Sequence, residues 1–433
     1  MKGFTMKRIA IISGLRTPMA KAGGKFKHLQ ADALGSKLIR EVMMRSPLGF
    51  DEVDEVIIGN VAQPIHAANI ARVIALRAGF PQETPAVTVH RNCASGMESL
   101  TTATAKIHAG EGNVYLCGGV ESMSNIPLVY SEKMTSFFEQ LSKSKTALDK
   151  VRTLFGFRPT FLKPIIGLMS GLTDPVSGLL MGSTAEVLAT DFGISRKEQD
   201  LFSLESHQKA FKAQTSGRFA EESMSFVYDE LQGKVLEIDD GIRETQSLDK
   251  LAKLRPFFDK KNGTVTAANS SQITDAAAAL LVMSEEEAKE RGLTPLGYLS
   301  EYTYTGLEPK RMGLGPVFAT HELFKKTGLS MKDIDLIEIN EAFAAQVIAC
   351  VKAFESKEFA KAHFDSDTIV GKIDPEILNV NGGAIALGHP VGMTGSRLVL
   401  TLLHELRNRG KQRALATLCI GGGQGAALLL EVT

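Results

Sequence analysis

The chain has no tryptophan and only four cysteines, Cys93, Cys117, Cys350 and Cys419, no two of them in C-x-x-C spacing. That pattern argues against a disulfide framework and a structural zinc site, and it fits a reducing compartment. Net charge is lacking as well. The 49 basic and 49 acidic residues cancel, so no overall field favours nucleic acid or an anionic membrane, and a large anionic ligand needs a local patch. No apolar run approaches the ~20 residues of a membrane span. The start, M-K-G-F-T-M-K-R-I-A-I-I-S-G, is basic but holds only the short apolar run Ile9 to Ile12, too short for a signal-peptide core. It reads as a buried first strand ending at Ser13-Gly14, and a cytoplasmic protein is expected. G-x-x-x-x-G-K-[ST], H-E-x-x-H and G-x-S-x-G are absent too, which leaves kinase, zinc-protease and serine-hydrolase readings without support.

What is present points to an α/β architecture. At 433 residues, 44% of them hydrophobic, the chain is long enough for several domains or one large core. Short β-like runs at 54–59, 113–119, 334–340 and 413–423 alternate with longer helix-like segments. After Cys93, Met97, Leu100, Thr104 and Ile107 share one helix face, and Gly110 ends the run. Leu398, Leu402 and Leu406 form a second stripe, ended by Gly410. The two stretches repeat weakly: a loop with a reactive-type residue (Cys93, then His389), a helix, a glycine turn, and a strand ending in cysteine and glycines, which pairs Cys117 with Cys419. Such units also recur in α/β proteins without duplication. Residues 263–283, G-T-V-T-A-A-N-S-S-Q-I-T-D-A-A-A-A-L-L-V-M, read as a strand, a polar turn and an alanine-rich helix. Residues 131–183 break the rhythm with phenylalanine, leucine and basic residues. They fit an insertion that covers a site, one that touches a membrane surface or partner, or a self-packed helical excursion.

Three residues stand out chemically. Cys93, in N-C-A-S-G-M, sits among small neighbours at a predicted helix start, where unpaired N–H groups favour a thiolate by about 0.3–1 kcal/mol. A nucleophilic cysteine also needs a base. His389, in G-G-A-I-A-L-G-H-P-V-G-M-T-G, lies in a loop whose glycines and proline set an irregular backbone open to a ligand. Cys419 opens C-I-G-G-G-Q-G at a strand end, where backbone N–H groups could form an oxyanion hole or simply a tight turn. Gly421, Gly423 and Ala426 formally match a dinucleotide fingerprint, but neither a helix nor a distant acid follows. Asn340, ending I-E-I-N, could hold a water or cap the next helix.

Together, N-C-A-S-G-M, G-T-V-T-A-A-N-S-S, N-E-A-F-A-A-Q, G-G-A-I-A-L-G-H-P-V-G-M-T-G and C-I-G-G-G-Q-G resemble the thiolase family, in order from Ile9 to the C-terminus. The resemblance implies two βαβαβ-type halves in five α-β-α-β-α layers. The first half would hold residues 1–130 and 264–295, an inserted loop domain 131–263, and the second half 296–433. It implies that coenzyme A cleaves a 3-ketoacyl-CoA, or that the reverse condensation runs, with coenzyme A as a substrate and no cofactor or metal. Cys93 would be the nucleophile, His389 its base and Cys419 the second acid/base. The N–H groups of Cys93 and Gly421 would form one oxyanion hole, and His389 with a water on Asn340 the other. Ser271 matches a serine that contacts the pantetheine arm, Arg243 would meet the nucleotide end, and Met181 would be a further coenzyme A contact. The 131–183 segment and A-A-N-S-S resemble the thiolase subunit of fatty-acid-oxidation complexes. Asn340 and C-I-G-G-G instead resemble short-chain acetoacetyl-CoA thiolases. Family members are dimers or dimers of dimers. A decarboxylating ketoacyl synthase needs no second cysteine, and a non-catalytic acyl-CoA carrier of this fold would show damage at Cys93, His389 or Cys419.

Overall fold

The computed structural model describes residues 8–433, so the sequence reading of residues 1–7 lies outside the described residues. The chain opens with β1 (Ile9–Arg16), β2 (Ala20–Lys21), α1 (Ala31–Arg45), β3 (Glu55–Gly59), α2 (Ile70–Ala78), β4 (Ala86–Val89), α3 (Ser95–Ala109) and β5 (Val114–Ser122). A long excursion follows. Ribbon strands β6 (Leu128–Val129) and β7 (Ile165–Ile166) enclose α4 (Glu132–Lys143) and α5 (Ala147–Phe155). Then come α6 (Gly167–Gly171), α7 (Met181–Asp191), α8 (Arg196–Thr215), the ribbon β8 (Phe226–Asp229) and β9 (Lys234–Leu236), and α9 (Leu248–Ala252). The chain returns through β10 (Thr274–Ser284), α10 (Glu285–Glu290) and β11 (Gly297–Gly306). It closes with α11 (Gly315–Thr327), β12 (Leu336–Ile339), α12 (Ala344–Glu355), α13 (Lys357–Phe364), α14 (Ala384–Leu387), α15 (Thr394–Arg409), β13 (Arg413–Ile420) and β14 (Gln424–Glu431).

One sheet runs in the order β12-β13-β14-β11-β1-β10-β5-β3-β4, with β2 beside β10. Four strands of each half correspond about the antiparallel β1–β11 seam, with edge strand β4 and the short β2 left unmatched. β3 runs parallel to β5 as β12 does to β13, and β10 pairs with β5 as β14 pairs with β13. Alternate side chains face opposite sides. Val56 and Ile58 join the core under α1 and α2, and Ile337 and Ile339 join the core under α11 and α12. Ile57 and Leu336 face a third core, shared by Met97 and Leu100 of α3 and Leu398 and Leu402 of α15. The result is five layers, α-β-α-β-α, with α3 and α15 in the middle.

Those central helices touch through their first turns. A Cβ on Gly96 would lie 2.7 Å from the Ser396 nitrogen, and one on Gly395 would lie 2.5 Å from the Met97 nitrogen. The Ser396 hydroxyl donates to the Gly96 carbonyl at 3.1 Å. Only glycine permits so close an approach.

Three sequence expectations are corrected. β1 does not stop at Ser13-Gly14. The chain absorbs a register shift between Ile11 and Ser13 against β10 and continues to Arg16. The alanine-rich run is not a helix but β10, buried along its whole length between β1 and β5, and residues 263–273 hold no strand. Alanine's helix preference is worth under ~1 kcal/mol per residue, less than the roughly 1.5–3 kcal/mol from burying each of Leu280, Leu281 and Val282. The repeat is real in topology but slips by four residues. Register sets Gly59 opposite Gly119 and Ile339 opposite Thr417. Asn60 therefore corresponds to Asn340, and Glu121, not Cys117, to Cys419.

Gly96→Ala is expected to destabilise the fold by about 1–3 kcal/mol, because neither backbone can retreat. Equilibrium urea unfolding would show a lower midpoint with an unchanged slope.

Candidate active site

The helix contact brings two loops together. Cys93 lies two residues before the first residue of α3. It is preceded by Asn92 at φ +44°, a left-handed conformation that asparagine tolerates better than most side chains. The Asn92 amide donates to the Gly421 carbonyl at 2.7 Å, tying this loop to the β13–β14 hairpin. His389 lies five residues before the start of α15, and its backbone N–H donates to the Gln272 carbonyl at 2.9 Å. Cys419 is the penultimate residue of β13, where that strand enters the same hairpin. Cys93, His389, Cys419 and Gly421, with Ser271 and Met181, line one cavity of about 690 Å³.

Its electrostatics are those of neutral groups held ready. The Thr394 hydroxyl donates to the Pro390 carbonyl at 3.1 Å, so it accepts from His389 Nδ1 at 2.6 Å. Nε2 then carries the lone pair, and it has no partner among the described residues. Burial, reinforced by the Arg397 charge, pulls the His389 pKa down to about 4 and keeps the ring neutral. Burial pushes the Cys93 thiol up. The N–H groups of Gly421 and of Cys93 itself pull it back, while Glu121 pushes it further up. Cys419 is raised well above an ordinary thiol by burial, then by neighbouring Cys93 and Cys350.

The other expected residues divide. Asn340 follows β12 directly and is 1% exposed, and neither atom of its carboxamide has a partner among the described residues. It does not cap α12, whose N-cap is Phe343. Ser271 is held by its N–H to the Ala342 carbonyl at 2.9 Å, and Met181 begins α7. Arg243 lies apart. It is exposed and not on the cavity wall, with its backbone N–H on His207 Nδ1 at 3.2 Å. The dinucleotide match fails on structure, since strand β14 follows the glycines.

Sequence reasoning missed Glu121, buried at the end of β5 and part of the cavity wall. A lone acid closing an apolar strand was its only signal. The wall supplied by the excursion was missed residue by residue as well: Leu168, Leu172 and Val176 face the cavity with Ile126.

Between about pH 6.5 and pH 4 the unfolded chain binds a proton that buried His389 refuses. Stability therefore falls as pH drops through that window. His389→Asn should lose less stability than the wild-type protein between about pH 7 and pH 5, read as the change in urea midpoint.

Two family models cover the chain, "Thiolase, N-terminal domain" over residues 9–286 and "Thiolase, C-terminal domain" over 293–432. A curated 3-ketoacyl-CoA thiolase of Shewanella halifaxensis is 39% identical over 427 residues, covering 98% of this chain and 97% of that protein. One of Escherichia coli (strain 55989 / EAEC) is 38% identical over 425 residues, with 98% and 97% covered. Among solved structures, the Bacillus anthracis acetyl-CoA acetyltransferase aligns with TM-score 0.87 at 36% identity, covering 99% of this chain and 100% of that one. Human mitochondrial 3-ketoacyl-CoA thiolase in complex with CoA aligns with TM-score 0.84 at 36% identity, covering 99% of each chain. With both halves of the sheet, both central helices and nearly every residue matched, the chain belongs to the thiolase family.

Proposed function

We propose that the protein is an acyltransferase that uses coenzyme A to cleave 3-ketoacyl-CoA into acetyl-CoA and a shortened acyl-CoA, and that it can run the reverse condensation. The observation that carries this reading is the meeting of Cys93, His389 and Cys419 on one cavity, with His389 Nε2 unpaired. His389 Nε2 takes the Cys93 proton, and the sulfur attacks the substrate's ketone carbon. The C2–C3 bond breaks. Its electron pair becomes the acetyl-CoA enolate, which the Cys419 thiol protonates at carbon. The Cys419 thiolate then takes the proton of incoming coenzyme A, whose sulfur displaces the acyl group from Cys93, and His389 returns its proton. The N–H groups of Gly421 and Cys93, which pull the Cys93 thiol down, suit the oxygen of the tetrahedral intermediate. His389 and a water on the unpaired Asn340 amide suit the enolate oxygen. Ser271 and Met181 lie where the pantetheine arm would run, and Arg243 is left for the nucleotide end. Coenzyme A is a substrate here, and these steps draw on no cofactor or metal.

We read residues 1–130 and 264–295 as the first half, 131–263 as the inserted domain and 296–433 as the second half. A homodimer or dimer of dimers working in the cytoplasm is the form we expect. None of the described helices is long and apolar enough to cross a membrane.

Ile126, Leu168, Leu172 and Val176 give the cavity an apolar wall, which favours a long acyl chain. Asn340 favours the short-chain alternative. Coenzyme-A-dependent cleavage of substrates from four to sixteen carbons separates the two. Activity is expected across the range and absent in Cys93→Ala. Cleavage of the four-carbon substrate alone would leave the apolar wall without this role, and no cleavage at any length would favour an acyl-CoA carrier.

The outer side of the excursion is apolar and basic. Leu148 and Phe155 on α5 are 78% and 80% exposed, beside exposed Lys143, Lys145, Lys150, Arg152, Arg158 and Lys163. This combination suits an anionic membrane surface; a partner enzyme of β-oxidation is the other candidate. Flotation with vesicles containing phosphatidylserine should recover the protein, and Leu148→Asp with Phe155→Asp should abolish recovery while thiolysis persists. Failure to float, with co-purification of a hydratase or dehydrogenase, would assign the face to the partner.

A further inference from the structure

We propose that Glu121 is a positioning residue of this site, one that fastens the loop carrying His389 to the strand ends that frame Cys93. The inference rests on the thiolase reading and extends it to a side chain outside the expected set.

Two observations carry it. The first is the match between the halves. Aligning β3 with β12 and β5 with β13 by their parallel registers sets Asn60 on Asn340 and Glu121 on Cys419. The loops before α3 and α15 likewise set Cys93 against His389. Each half thus offers an asparagine after the first strand of its parallel pair, a reactive residue before its central helix and a third group near the end of the pair's second strand. Four of these six residues have the roles proposed above, and Asn60 donates to Glu121. Glu121 occupies the third position in the first half, and it lines the same cavity as Cys93, His389 and Cys419.

The second observation is how the Glu121 carboxylate is used. Its Oε1 accepts from the Asn60 amide at 3.1 Å and the Ala62 N–H at 3.0 Å. Its Oε2 accepts from the Val61 N–H at 3.1 Å and the Gly392 N–H at 2.9 Å. Three donors come from the end of β3, and the fourth lies three residues after His389. The fit is tight, since a Cβ on Gly392 would meet Oε2 at 2.9 Å and one on Gly119 would meet the Gly392 carbonyl at 2.0 Å. Burial raises the carboxyl pKa to about 7 against the pull of these donors. An acid retained at such a cost to its ionised form, with every bond on a loop of the site, is placed to hold geometry. Small errors matter there, because a displacement of about 1 Å in a catalytic group can cost about 10²-fold in rate.

The test is Glu121→Gln, which keeps the size but turns N–H donors toward N–H donors. The readouts are steady-state thiolysis and the burst of acyl-enzyme on Cys93, alone and in a His389→Ala background. Expected are a kcat about 10²-fold lower with KM for coenzyme A within about twofold of wild type, and a burst slowed equally. In His389→Ala, adding Glu121→Gln should slow the burst less than about twofold further, because the clamp acts through a ring no longer there. A general loss of stability would instead multiply the two defects, and that result overturns the proposal. So does a kcat within about threefold of wild type. If Glu121→Gln fails to fold, Asn60→Ala removes one donor and leaves the loop contacts. It should lower kcat about fivefold, again masked by His389→Ala, and an unchanged kcat overturns the proposal. A wild-type protein without any burst would sink the thiolase reading itself, and the clamp with it.

Discussion

Everything at the site depends on two helices meeting backbone to backbone. The first turns of α3 and α15 pass so closely at Gly96 and Gly395 that neither position has room for a Cβ. Each helix carries a reactive residue just ahead of its N-terminus, so the contact places Cys93 and His389, 296 positions apart in sequence, on one cavity. The sheet serves the same end. It folds about the β1–β11 seam so that its two halves clasp these helices, and the parallel strand pair of each half ends beside the loops that matter.

The second constraint is electrostatic. Charge is present around the site but is held by ion pairs and hydrogen bonds. The buried Arg397 guanidinium pairs with Glu338. The Glu341 carboxylate accepts from Ser206 and Asn379 side chains and from the Ile385 N–H, which holds the stretch leading to His389. Glu121 does the same on the far side of that histidine. The three groups proposed to react are left neutral by desolvation, an imidazole with a free lone pair and two protonated thiols. In such a setting an anion appears only where N–H groups wait for it, so a low dielectric that penalises idle charge also strengthens the stabilisation of a reacting one.

The excursion between β5 and β10 joins the inner chemistry to the outer surface. Its aromatic side chains pack on one another, Phe137 against Phe157 and Phe161. It therefore holds its shape while giving leucine and valine side chains to the cavity and leaving others in water. One segment thus both walls the site and forms an exposed apolar face.

The chain's local patterns were readable without coordinates. Helices α3 and α15 announced themselves through apolar stripes and the glycines that end them, because a helix of one-sided burial writes its period into the sequence. The motifs around Cys93, His389 and Cys419 pointed to their chemistry for the same reason, that each is a short contiguous signal. β10 was misread because burial on both faces erases the alternation that marks a strand, leaving alanines that suit a helix equally well. Glu121 was passed over because its equivalence to Cys419 exists only in the register of strands far apart in sequence. Arg243 was expected near the ligand, and only the folded chain shows it exposed beyond the cavity wall. Sequence by itself thus determined the elements with one-sided burial and singled out the candidate reactive residues within short motifs. Tertiary structure alone decided which of those residues share a cavity and which buried acid bonds the loops beside them, because both are set by contacts between segments that no local pattern records.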